Sequence, residues 1–319
     1  MAQPMDRKLA LEAVRVTEAA AIAASRQVGR GDERMADHVA VEAMRTALNG
    51  LAIEGTVVIG EGERDEAPML FIGERVGMGG VAVDIALDPL EGTTLTAKAL
   101  PNALTVIAIA ERGSLLHAPD TYMDKIAIGP GYPDGVVDLD AKPAENIAEL
   151  ARAKGVTPSE ITACILDRPR HAAIIESVRR AGAAVRLITD GDIAGVIATT
   201  DPATCVDIYL GQGGAPEGVL AAAALRCVGG QIQARLVFRN DEERGRAARL
   251  GITDFERKYT LTDLAGGDVV FAATGVTDGS MLEGVHRHGD FATTSSILMR
   301  SGTRTVRWIK ARHRCGHAP

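Results

Sequence analysis

The stretch from Ile161 to Val228, ITACILDRPRHAAIIESVRRAGAAVRLITDGDIAGVIATTDPATCVDIYLGQGGAPEGVLAAAALRCV, decides the fold. Short runs rich in Val and Ile at 161–166, 184–188 and 206–210 predict strands. Longer segments at 170–181, 193–199 and 218–228 predict the helices that follow each of them. This is α/β order, and crossover helices between buried strands predict a largely parallel sheet in the second half. Working outward, Leu9, Ala13, Val16, Ala20 and Ala23 fall at steps of four and three, the spacing of one helical face. A second helix is expected near Asp37, carrying Val39, Ala43, Met44, Ala47 and Leu48 and stopping at Asn49-Gly50. Further strands are expected at 56–60, 82–87, 104–110, 231–238, 269–274 and 303–309. Turn chemistry in Lys154-Gly155-Val156-Thr157-Pro158-Ser159 places a soft boundary that divides the chain into residues 1–155 and 156–319.

The chain has 319 residues, and 35 Lys and Arg against 42 Asp and Glu give a formal charge of −7. An acidic balance with 3% aromatic residues argues against nucleic acid as a partner, because such surfaces need a basic face and stacking platforms. Apolar runs such as 104–110 and 219–225 are far shorter than the roughly 20 residues of a bilayer-crossing helix, so no membrane partner is expected. Glu12, Arg15 and Glu18 interrupt the N-terminal apolar stretch, which predicts that it is not a signal peptide. Cys164, Cys205, Cys227 and Cys315 are scattered without a C-x-x-C pair, as suits a reducing compartment, and a cytoplasmic location is expected. In the tail after Lys310, His313, Cys315 and His317 have the composition of a ligand cluster, yet a frayed basic terminus is the expectation.

Acidic residues gather where strands end. In Val83-Asp84-Ile85-Ala86-Leu87-Asp88-Pro89-Leu90-Glu91-Gly92-Thr93-Thr94, a buried strand delivers Asp88 to its carboxyl end, Pro89 stiffens the exit and Glu91 returns to the same side. Two converging carboxylates repel unless a proton or a divalent cation joins them. Gly92 and Thr93 precede a predicted helix, where backbone N–H groups and a hydroxyl can hold a phosphate oxygen. The alternative is an acidic loop with Thr93 as a helix cap only. A second run, Gly60-Glu61-Gly62-Glu63-Arg64-Asp65-Glu66, puts four carboxylates into six residues after another strand; Glu63 and Glu66 read as solvated. Asp37 reads either as an N-cap or as a ligand. Spacing alone does not bring Asp37, Glu61 and Asp88 together.

Gly211-Gln212-Gly213-Gly214-Ala215-Pro216-Glu217-Gly218 reads as a glycine loop whose amides can approach an anion at a helix N-terminus. Pro216 stands where a dinucleotide fingerprint needs its third glycine, so dinucleotide binding is not expected. Asp167-Arg168-Pro169-Arg170-His171 and Asp190-Gly191-Asp192 follow predicted strands at the usual ligand edge of an open sheet. Arg168 and Arg170 suit a phosphate, and Asp190 and Asp192 suit hydroxyl groups. A surface turn and a helix cap are the competing accounts of these two loops.

Asp88-Pro89-Leu90-Glu91-Gly92-Thr93 resembles the D-P-I/L-D/E-G-S/T signature of metal-dependent, lithium-sensitive sugar and inositol phosphatases. Gly29-Arg30-Gly31-Asp32, Ala36-Asp37, Gly60-Glu61-Gly62-Glu63, Asp65-Glu66-Ala67-Pro68-Met69-Leu70, Pro169-Arg170-His171, Asp190-Gly191-Asp192 and Gly213-Gly214-Ala215-Pro216-Glu217-Gly218 extend the likeness. With them the chain resembles class II fructose-1,6-bisphosphatases of the GlpX type. The resemblance implies a layered α-β-α-β-α sandwich with two mixed sheets. It makes 1–155 a metal-binding and 156–319 a sugar-phosphate-binding α/β domain. It implies Mn²⁺ or Mg²⁺ held by Asp37, Glu61, Asp88, Glu91 and Glu217. Substrate contacts are implied at Glu91, Gly92, Thr93, Tyr122, Arg168, Pro169, Arg170, Asp190, Gly191, Asp192 and Gly214, with Asp65 and Thr93 as the catalytic helpers that orient and deprotonate water. Many relatives carry Lys at the positions of Glu33 and Arg168. Arg168 keeps the charge, whereas Glu33 reverses it.

The implied reaction is hydrolysis of the 1-phosphate of fructose 1,6-bisphosphate, a gluconeogenic step, by a homo-oligomer, dimer or tetramer. Its chemistry agrees with the residues, since a phosphate monoester dianion repels nucleophiles and needs its charge neutralised. Activity on sedoheptulose 1,7-bisphosphate and a non-catalytic sugar-phosphate-binding protein are the alternatives.

Overall fold

The structure, a computed structural model, describes residues 7–62 and 69–315. In chain order its first half contains α1 (Arg7–Ala24), α2 (Glu33–Asn49), β1 (Ile53–Ile59), β2 (Arg75–Val76), β3 (Val81–Glu91), α3 (Thr93–Ala97), β4 (Leu104–Glu111), β5 (Tyr122–Ile128) and α4 (Pro143–Lys154). There follow β6 (Thr162–Leu166), α5 (Ala172–Arg180), β7 (Ala184–Ile188), α6 (Asp192–Ile197), β8 (Ile208–Gly214), α7 (Ala215–Val228), β9 (Gln231–Val237) and α8 (Asp241–Arg249). The last are β10 (Tyr259–Thr260), α9 (Leu261–Leu264), β11 (Val269–Gly275), β12 (His286–His288), β13 (Phe291–Arg300) and β14 (Thr305–Arg314).

The chain is α/β with two mixed sheets, and it forms two compact units. One comprises residues up to Leu115 with those from Gly267 onward, and the other is Leu116–Gly266. In the first, the strand order is β12-β13-β11-β4-β3-β1-β2, with β14 on β13, and only β1 and β3 run parallel among the paired strands. The apolar stripe of α1 crosses β4, β11 and β13, and α2 packs on α1. Met44 and Leu48 of α2 are 0% exposed in that core, and burying each contributes ~1.5–3 kcal/mol. The second unit has the order β10-β9-β5-β8-β6-β7 around its own cluster, which includes Ile126, Ile147, Leu150, Ile165, Val178 and Ile208.

Several expectations change. The second helix starts at Glu33, four residues before Asp37, because Asp32 accepts a hydrogen bond from the Met35 N–H (2.9 Å) and caps it. The second sheet is parallel only across β7-β6-β8, since β5 enters between β8 and β9 antiparallel to both. Residues 211–214 are not a loop: they extend β8 and pair with Lys125 back to Tyr122, and α7 begins at Ala215. The expected boundary near 155 falls inside the second unit, where Ile147 and Leu150 of α4 share one cluster with Ile161 and Ile165. The strands from Val269 onward instead complete the first sheet, β11 pairing with β4 from Val269↔Ala110 to Gly275↔Leu104. Residues 311–314, expected to fray, belong to β14, and the His313 ring contacts the Thr294 hydroxyl at 2.9 Å. His317 lies outside the described residues. Among those residues no helix is long and apolar enough to cross a membrane, and all four cysteines are free thiols.

Candidate functional site

In the first unit the decisive feature is an irregularity in β3. Asp88 pairs with Val106 and Glu91 with Leu104, so three steps along β3 match two along β4. In a regular strand residues three apart face opposite sides. The extra residue is a β-bulge that turns Glu91 to the face of Asp88. Asp88 Oδ1 accepts the Leu90 N–H (3.0 Å), which fixes the bulge and the carboxylate together. Gly92, at φ 94°, then turns the chain into α3, a conformation that favours glycine. Its added Cβ would lie 2.8 Å from Leu95 Cδ1. Thr93, half-buried, is the first residue of α3.

Glu61 stands two residues beyond β1, which pairs in parallel with β3 as far as Ile59↔Ala86, so it leaves β1 at the strand end to which β3 brings Asp88. The returning segment holds it there. Its N–H donates to the Leu70 carbonyl (3.1 Å), and the Ile72 N–H donates to Gly62 (2.9 Å). Gly60 permits this closeness, because a Cβ there would lie 2.0 Å from the Leu70 oxygen. Leu70 is in turn held by the buried Glu74, which also accepts from Arg45 Nε at 2.6 Å. Burial, with a further contribution from the Asp37 charge, pushes the Glu61 carboxyl up to about 8. Asp37 sits half-buried inside α2 and its carboxyl is raised, mainly by burial and against the nearby His38. Since Asp32 caps the helix, the N-cap account of Asp37 is closed. Glu33, exposed at the first position of α2, suits the positive end of the helix dipole. Asp65, Glu63 and Glu66 lie outside the described residues.

In the second unit the predicted residues share one sheet edge. Arg168, Pro169 and Arg170 leave the carboxyl end of β6, Asp190, Gly191 and Asp192 leave that of β7, and Gly214 ends β8. Tyr122, at the amino end of the antiparallel β5, pairs directly with Gly214. Arg170 donates to the Gln212 carbonyl through Nε (3.3 Å) and Nη2 (2.8 Å), and its Cζ lies 4.9 Å from the Tyr122 ring centre. His171 locks this loop down. It accepts the Gln212 N–H at Nε2 (2.8 Å), so Nδ1 carries the proton and donates to the Leu166 carbonyl (2.7 Å). Burial pushes the His171 pKa down and favours that neutral ring.

Beneath the edge, Lys125, 2% exposed, binds the Asp192 carboxylate and donates to the Gly214 carbonyl (2.8 Å). Sequence reasoning missed it. The only trace is its place between Met123 and Ala127, inward positions of an apolar strand. The glycines serve this cluster by making room. A Cβ on Gly213 would sit 2.0 Å from Asp192 Oδ2, and one on Gly214 would sit 1.8 Å from Glu217 Oε2. Glu217 Oε2 is buried with no hydrogen-bond partner among the described residues. Burial first, and then the Asp192 charge, push its carboxyl up to about 7 against the pull of Lys125. Asp190 is raised too, chiefly by burial, although Arg168 and the Gly191 N–H oppose this.

These groups fit a divalent cation in kind: hard carboxylate oxygens, several of them with carboxyls raised chiefly by burial. Among the described residues, no three His, Cys, Asp or Glu side chains are gathered closely enough to hold one ion. The chain matches the family model described as bacterial fructose-1,6-bisphosphatase, glpX-encoded, over residues 7–313. It is 47% identical over 324 residues to the fructose-1,6-bisphosphatase 1 class 2 of Escherichia coli strain K12, covering 97% of this chain and 96% of that protein. The class 2 fructose-1,6-bisphosphatases of Escherichia coli strain CFT073 and Shigella flexneri show the same 47% identity and the same coverage.

Proposed function

The chain belongs to the bacterial, glpX-encoded fructose-1,6-bisphosphatase family, and from that premise we propose that it removes the 1-phosphate of fructose 1,6-bisphosphate with Mn²⁺ or Mg²⁺. It is a phosphoric monoester hydrolase of class 2, acting on fructose 1,6-bisphosphate in a metal-dependent manner. The observation that carries the proposed site is the β3 bulge, which turns Asp88 and Glu91 to one face just before Gly92 and Thr93.

In the first unit, Asp37, Glu61, Asp88 and Glu91 would share divalent cations between them, without three of them on one ion, and Glu217 of the second unit is a carboxylate of the same kind. When bound, a divalent cation neutralises phosphoryl charge and lowers the pKa of water. Glu91, Gly92 and Thr93 contact the substrate, and the Thr93 hydroxyl orients the attacking water. Asp65 takes its proton. In the second unit Tyr122, Arg168, Pro169, Arg170 and Gly214 bind the sugar phosphate. Asp190, Gly191 and Asp192 receive the hydroxyl groups, Asp192 with its carboxylate steadied by Lys125. We place the protein in the cytoplasm as a homo-oligomer, a dimer or tetramer, on the scattered free thiols and the family resemblance. Gel filtration decides the assembly.

Phosphate release from fructose 1,6-bisphosphate tests the reaction. Turnover is expected with added Mn²⁺ or Mg²⁺ and is expected to vanish in excess EDTA, returning when the ion is restored; turnover indifferent to EDTA contradicts the cation requirement. Thr93→Ala is expected to lower kcat by roughly 10²-fold with little change in KM, as for a group that acts in the transition state. A change confined to KM would assign Thr93 to binding alone.

A further inference from the structure

Tyr122 carries a second cation that neither the motifs nor the sheet edge announced. Arg239 Cζ lies 5.0 Å from the ring centre, beside the 4.9 Å of Arg170. Both guanidiniums are pinned on one side only. Arg170 uses Nε and Nη2 on the Gln212 carbonyl. Arg239 uses Nε (2.6 Å) and Nη2 on Glu243 Oε1. Neither Nη1 has a hydrogen-bond partner among the described residues.

Glu243 is a built anchor: it is 1% exposed, and its Oε2 accepts from the Arg239 N–H (2.7 Å) and from Thr121 Oγ1 (2.9 Å). Glu243 and the nearby Asp120 offset the Arg239 charge, while Arg170 is hydrogen-bonded only to a neutral carbonyl and supplies the uncompensated charge beside the phenol. Two guanidiniums within 5.0 Å of the centre of one ring, each with its Nη1 left over, suit a phosphate dianion, which accepts paired N–H donors. Each guanidinium is already tethered on its other edge, to the Gln212 carbonyl or to Glu243, which reduces the ordering cost of binding.

We propose that Arg239 is a further substrate-binding residue: with Arg170 beside the Tyr122 ring, it grips the phosphate that is not hydrolysed and sets the preference for a bisphosphate over a monophosphate. This rests on the fructose-bisphosphatase reading above.

The test compares the wild-type enzyme with Arg239→Ala, using fructose 1,6-bisphosphate and fructose 1-phosphate as substrates and calorimetric titration with fructose 6-phosphate. Arg239→Ala is expected to raise KM for the bisphosphate at least tenfold and to weaken fructose 6-phosphate binding by the same factor. The ratio of kcat/KM for the bisphosphate to that for fructose 1-phosphate should fall about tenfold. Arg239→Ala strands the buried Glu243 charge, so Arg239→Ala with Glu243→Gln is made as well and is expected to show the same loss. An unchanged substrate ratio, or undiminished fructose 6-phosphate affinity in the double variant, overturns the proposal. Wild-type failure to hydrolyse the bisphosphate would instead strike the parent reading, and the fructose 6-phosphate titration would still decide the role of Arg239.

Discussion

Asp88→Asn is expected to reduce phosphate release from fructose 1,6-bisphosphate by roughly 10³-fold, while the protein stays folded. The two halves of that result have separate causes. Asn keeps an Oδ1 that can accept the Leu90 N–H, the bond that braces the bulge (3.0 Å), so the local fold survives. What disappears is the negative charge, at a place where β3 has added a residue to align it with Glu91. A carboxylate that helps hold a catalytic cation contributes several kcal/mol to the transition state, and about 4 kcal/mol corresponds to three decades in rate. Calorimetric titration with Mn²⁺ should show weakened binding in the same variant, with thermal unfolding close to that of the wild type. Normal turnover in Asp88→Asn would remove this residue from the site, and with it the mechanism drawn through the bulge.

How much of this was legible depends on whether the cause is local. The α1 stripe and the β6 to α7 alternation were legible because periodicity of three and four, or of two, is written in adjacent residues. The division into units was not, because β11 finds β4 across more than 150 residues of intervening chain, and no turn signal near 155 records that pairing. Asp37 illustrates a one-residue ambiguity. Asp37 reads as a cap or a ligand from sequence alone, and the Asp32–Met35 hydrogen bond shows that the cap lies five residues earlier. The glycines at 213 and 214 were legible as a close approach but not as to what approaches. They admit the Asp192 and Glu217 carboxylates, whereas the sequence pattern suggested an anion from outside. Lys125 could not be singled out at all, because its importance depends on α6 and β8 arriving at its ammonium group.

Lys125→Met is therefore the variant expected to cost most in stability, about 3–5 kcal/mol, the range for removing one partner of a buried ion pair. Met matches the length of the aliphatic stem and fills its space, so the loss reports the ammonium and not a cavity. Asp192, 6% exposed, would lose its counter-ion, and the Gly214 carbonyl would lose its donor. The nearby Glu217 is already pushed up to about 7 against the pull of Lys125, and losing that cation would raise it further. Combining Lys125→Met with Asp192→Asn should recover much of the stability, since the stranded charge goes with its partner. Activity should stay low in that double variant, because Asp192 is placed among the hydroxyl-binding residues. Chemical denaturation of the single and double variants measures both steps. A single-variant loss under about 1 kcal/mol would mean that water reaches Asp192 and that the buried cluster does not hold the sheet edge.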